Sequence, residues 1–105
     1  MLRNYSLILD WLATLPPVIA RIQERDRNLA DHLRRSATRV CLSVAEGMGH
    51  RGGRRLNAYR IALAEMREAC AAIEVAARLG FIDAPSEADS HRMRRIVGTL
   101  VLIAR

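Results

Sequence analysis

Residues 33–47 (Leu-Arg-Arg-Ser-Ala-Thr-Arg-Val-Cys-Leu-Ser-Val-Ala-Glu-Gly) constrain the fold more than any other stretch of the chain. The segment starts as a basic amphipathic helix, turns apolar nearly all round between Val40 and Ala45, and stops on Glu46 and Gly47. A helix wetted along one side has no use for so wide an apolar arc. This one belongs at the centre of a bundle, with other helices on several sides.

The flanking periodicities supply those helices. Tyr5, Ile8, Leu12, Leu15, Ile19 and Ile22 follow alternating spacings of three and four, which predicts a helix over residues 2–24. Pro16 and Pro17 fall inside it. Each removes a helical N–H, yet the stripe keeps its phase across them, so a kinked continuous helix is expected. A polar turn with Asp26 or Asn28 as cap leads into a second helix over 29–48. Its stripe is Leu29, Leu33, Ser36, Val40, Ser43 and Gly47, with Ala37 and Val44 beside it. The glycine-rich run Gly47 to Gly53 ends that helix. A third helix over 54–79 carries Leu56, Tyr59, Leu63, Met66, Cys70, Ile73 and Ala77, and a second face of Ala62, Ala69, Ala72 and Ala76. Gly80 stops it, and Ser86 with Asp89 opens a fourth helix over 87–105. There Met93, Ile96, Leu100 and Ile103 form the core stripe, while Val97, Val101, Leu102 and Ala104 widen the apolar arc beyond what a monomer needs, suggesting burial against another subunit. The expected fold is all-α, one domain over 1–105, an up-down-up-down antiparallel four-helix bundle with helix one kinked at Pro16-Pro17.

The seventeen basic residues are all arginine, and with eleven acids they give a formal charge of +6. Arg34, Arg35, Arg39, Arg51, Arg54, Arg55 and Arg60 stand against Glu46 alone in residues 34–60, so the whole surplus falls on that segment. Folded as a hairpin, it would form one basic corner suited to phosphate neutralisation. These seven arginines are the candidate nucleic-acid-binding residues. In an antiparallel hairpin turning near His50, partner numbers sum to about 101, which sets Glu46 near Arg54 or Arg55 as a structural ion pair.

Arg-Arg-Ser-Ala, a small and apolar helical turn, and then Val-Ala-Glu-Gly together resemble the signature of the bacterial rRNA intervening-sequence four-helix-bundle family. That family is related to the accessory variability protein of diversity-generating retroelements. The resemblance runs from about residue 28 to 82. It implies a homo-oligomer, a pentameric ring of bundles, with RNA or DNA as partner and association with a reverse transcriptase. The function it implies is that of a non-enzymatic accessory factor. A structural assembly module, whose basic corner binds acidic protein surfaces or receives Glu65, Glu68 and Glu74 of a neighbour, is the alternative.

Catalytic and cofactor chemistry find little footing. Gly47-Met48-Gly49-His50-Arg51-Gly52 matches G-x-G-x-x-G, but it follows a helix, whereas a dinucleotide site needs a strand before it. His32, His50 and His91 are far apart, and Glu65 and Glu68 lack the histidines of a carboxylate metal site. No catalytic residue, metal or cofactor is therefore expected. Cys41 and Cys70 are ten residues out of register across the hairpin, an offset of about 15 Å, so two free thiols are expected. No run of about 18 apolar residues is present, and Asp10 and Pro16-Pro17 disagree with a signal peptide, which suggests a cytoplasmic protein without a membrane partner.

Overall fold

The structure, a computed structural model, describes residues 5–105. Within them lie five helices and no strand: α1 Tyr5–Ala13, α2 Pro16–Gln23, α3 Arg27–Met48, α4 Gly52–Arg78 and α5 Glu87–Ile103. Residues 2–4 of the first expected helix lie outside the described residues. The molecule measures 42 × 26 × 20 Å. At about 1.5 Å per residue the 27 residues of α4 run its full length.

The helix expected over 2–24 divides into α1 and α2, which meet at 42°. The reason is local. Thr14 and Leu15 donate their N–H groups only three residues back, to Trp11 and Leu12 carbonyls at 3.0 and 3.1 Å, and the Thr14 hydroxyl donates to the same Trp11 carbonyl at 2.6 Å. Pro16 and Pro17 then have no N–H to continue the ladder and instead occupy the first turn of α2, where none is required. The apolar stripe survives the break because Ile8, Leu15 and Ile22 are all buried.

Asp26 caps α3 by accepting the Leu29 N–H at 3.0 Å, and Ser86 caps α5 by accepting the Asp89 N–H at 3.1 Å. At the end of α4, Gly80 takes φ +79° while the Gly80 and Phe81 N–H groups close onto the Ala77 and Ala76 carbonyls. This is a Schellman ending, and only glycine meets its φ without strain. Phe81 then lies under the Arg25 guanidinium, 5.2 Å from ring centroid to Cζ, tying the turn before α3 to the turn after α4.

The most extensive helix–helix interface is between α3 and α4. They run antiparallel, with Gly47 beside Tyr59, Arg39 beside Glu65 and His32 beside Glu68. Leu33, Ser36, Ala37, Val40, Ser43, Val44 and Gly47 are buried along α3, as the stripe predicts. On α4 the alanine face is the better buried one. Ala62, Ala69 and Ala76 are fully enclosed, whereas Leu63, Cys70 and Ala77 are only half-buried. Small side chains let the two backbones approach closely, so this seam excludes water more completely than the bulkier stripe beside it. Helix α1 packs on α3 and α5, and α2 packs on α3 alone among its substantial neighbours.

The seam is tightest at Gly47, where a Cβ would lie 2.4 Å from a ring carbon of Tyr59. Tyr59 is 5% exposed and has nowhere to retreat. Gly47→Ala is expected to destabilise the protein by about 1–3 kcal/mol through overpacking. Urea unfolding measures this, and adding Tyr59→Leu to the Gly47→Ala chain should recover part of the loss.

Candidate nucleic-acid interface

The seven candidate arginines do not form one corner. Arg34, Arg35 and Arg39 lie on the middle of α3, and Arg34 is about 20 Å along the helix axis from the turn that carries Arg51, Arg54 and Arg55. The surplus charge is therefore spread over much of the length of the α3–α4 hairpin. All seven side chains are exposed.

Their partners separate them further. Arg34 pairs with Asp31 one turn earlier on its own helix. Arg39 Nε meets Glu65 Oε2 at 2.9 Å across the α3–α4 seam. Arg55 Nε donates to the Gly47 and His50 carbonyls at 3.3 and 2.8 Å, and Arg60 Nε donates to the Ala104 carbonyl at 3.1 Å. Both of these last two arginines sit on the C-terminal carbonyls of a helix, where unsatisfied acceptors and the negative end of the dipole favour a cation. Arg35, Arg51 and Arg54 have no hydrogen-bond or ion-pair partner among the described residues.

The ion pair expected of Glu46 is not formed. Gly47 faces Tyr59, so Glu46, about 100° round the helix, falls on the exposed side. Arg55 spends its guanidinium on the end of α3 instead. Glu65 and Glu68, two of the three acids considered as receivers for a neighbouring subunit, already have partners in the same chain, since His32 Nε2 is 3.8 Å from Glu68. Glu65 is the most enclosed of these acids, with 14% of its side chain exposed. Burial pushes its carboxyl pKa up, and the opposing attraction of Arg39 is the weaker effect. The C-cap roles of Arg55 and Arg60 were not foreseen. The signal for Arg55 was present, in an arginine following a glycine-rich turn by a few residues, but the signal for Arg60 depends on where α5 ends.

Both thiols are free, Cys41 buried and Cys70 half-buried, and desolvation raises the pKa of each. Beside the arginines of α3 and α4 sit two uncovered apolar side chains at the same level of the hairpin, Leu42 (63% exposed) and Ile61. On α5, Val101 and Leu102 are also exposed. No single helix among the described residues is long and apolar enough to cross a membrane.

A helical protein organised on a long antiparallel hairpin, with basic side chains strung along it, is the class these features define. No family model matches the sequence, and no curated protein matches it. Among solved structures the fold is similar to that of a protein of unknown function from the S23 ribosomal protein family of Bacteroides thetaiotaomicron. The TM-score is 0.83 over 96% of this chain and 97% of that one, at 17% identity. The likeness establishes a shared helical fold.

Because burial holds the Glu65 pKa above its ordinary value, its carboxylate is less favourable in the folded protein than in the unfolded chain. Its contribution is thus most favourable below the ordinary carboxylate pKa and declines as pH rises through the raised folded value. Relative to Glu65→Gln, the wild-type chain should lose stability as pH increases across that window. Urea midpoints of both chains at a series of pH values check the sign.

Proposed function

We propose that this chain is a non-enzymatic, homo-oligomeric basic helical-bundle protein that serves as a nucleic-acid or ribonucleoprotein-binding accessory factor. With α1 and α2 counted as one bent helix, it takes the up-down-up-down four-helix form of the rRNA intervening-sequence family. Assembly into a pentameric ring, association with a reverse transcriptase of the retroelement kind, and a cytoplasmic location complete the reading.

The observation that carries it is the pair Arg51 and Arg54. Both are exposed, unpartnered among the described residues, and placed at the start of the longest helix, whose first N–H groups receive no side-chain cap. Free N–H groups, the positive end of the helix dipole and two guanidiniums together favour a phosphate. Arg35, the third of the seven candidates without a partner among the described residues, extends the reach along α3. Contact of this kind is sequence-tolerant and salt-dependent. The exposed Leu42, Val101 and Leu102 support the homo-oligomeric part, and assembly multiplies a weak patch into an avid one.

A second reading is favoured by a different observation: Arg34, Arg39, Arg55 and Arg60 are already engaged within the chain. On that reading the protein is an assembly module whose arginines are mainly structural. Fluorescence anisotropy with a generic single-stranded RNA at several salt concentrations separates the two. Arg51→Ala with Arg54→Ala should weaken binding and make the log–log salt slope shallower by about 1.4, or about 0.7 for each lost phosphate contact. Absence of RNA and DNA binding at low salt, with a stable oligomer by light scattering, would leave the assembly module.

A further inference from the structure

The exposed face of the α3–α4 hairpin carries a shallow hollow of about 400 Å³. His32, Arg34, Arg35 and Arg39 of α3 and Glu65 and Glu68 of α4 line it, and no residue of α1, α2 or α5 does. Acids of this chain hold two of its three guanidiniums: Arg34 pairs with Asp31, and Arg39 Nε meets Glu65 Oε2 at 2.9 Å. Three guanidiniums thus share the hollow with two carboxylates, a near balance at neutral pH.

The two carboxyls are coupled to each other as well as to α3. Glu65 has only 14% of its side chain exposed. The charged groups that reach it are Arg39 and His32 of α3 and Glu68 of its own helix. Burial raises the Glu65 pKa, Arg39 opposes that less strongly, and a hydrogen bond shared with Glu68 raises it again. Glu68 in turn stands 3.8 Å from His32 Nε2. Two carboxyls that share a hydrogen bond need a proton on one of them, because like charges so close repel. Acid therefore drives the cluster in one direction. Glu65 takes a proton, His32 becomes an imidazolium beside Glu68, and Arg39 loses the carboxylate that holds it.

We propose that this hollow is an acid-released phosphate site: Glu65 withholds Arg39 at neutral pH, and protonation of the cluster frees it to join Arg35 on the phosphates of a polyanion. The proposal rests on the nucleic-acid reading and adds regulation to it. Contact at neutral pH is confined to Arg35 and the start of α4, and acid adds the middle of α3. The released guanidinium keeps its charge throughout, since arginine does not titrate in this range.

Fluorescence anisotropy of the full-length protein with a generic single-stranded RNA, at about pH 7.5 and about pH 5.5 and constant ionic strength, tests this. Glu65→Gln with Glu68→Gln mimics the protonated pair. At neutral pH it should bind about threefold to tenfold tighter than wild type, with a salt slope steeper by about 0.7 for the added phosphate contact. It should also lose most of the wild-type pH response, and adding Arg39→Ala should cancel the neutral-pH gain. Glu74→Gln with Asp83→Asn makes the same change in net charge away from the hollow and should leave affinity near the wild-type value. In the wild-type chain, where no variant need fold, the Arg39 Nε ¹⁵N resonance should move with the same pH midpoint as the Glu65 carboxyl ¹³C resonance. An Arg39 resonance unmoved through the Glu65 titration overturns the proposal, as does an equal gain in the charge-matched control or an undiminished pH response in the Glu65, Glu68 variant. RNA binding alongside any of those results leaves the nucleic-acid reading standing, whereas no RNA binding at either pH overturns both.

Discussion

The ring of Tyr59 occupies the space that any side chain on Gly47 would need, and the rest of the fold follows from that contact. It fixes how closely α3 and α4 approach at the end where the chain turns. From there the small residues Ser43, Ala37 and Ser36 on α3 and the alanines of α4 keep the two axes near one another over most of their length. Close approach gives many weak dispersion contacts and leaves no room for water. The remaining helices cover this seam: α1 and α2 lie on α3, and α5 lies on α4.

Electrostatics here is subordinate to packing. Once the hairpin register is set, Arg39 falls opposite Glu65 and His32 opposite Glu68, so acids of α4 partly neutralise the basic middle of α3. Arg55 and Arg60 close off helix ends. Of the seven arginines in residues 34–60, those left unengaged are Arg35 on α3 and Arg51 and Arg54 at the start of α4.

Periodicity in the sequence carries most of the helical architecture, because burial on α3 follows the spacing residue by residue from Leu33 to Gly47. Caps at Asp26 and Ser86 and the glycine ending at Gly80 were legible for the same reason, since each is a local rule with a short range. The proline break was harder. A stripe that keeps its phase argues for continuity, whereas the backbone donors lost at Pro16 and Pro17 argue for a division, and the lost donors decided the outcome. The basic segment misled for another reason. Closeness in sequence over residues 34–60 spans nearly 20 Å of helix before the turn, so a charge count along the chain overstates how concentrated the charge is in space. Glu46 shows the same limit at finer scale: the register placed it at the right level of the hairpin, and the helical phase turned it outward.

The α3–α4 seam is expected to be the most stable part of the molecule, with the other helices depending on it. Native-state amide hydrogen exchange tests this most directly. The slowest amides should be those of Val40 and Val44 on α3 and of Ala62, Met66 and Ala69 on α4, exchanging only by global unfolding, with α2 and α5 opening earlier. Slowest exchange in α1 or α5, with the seam opening first, would contradict it.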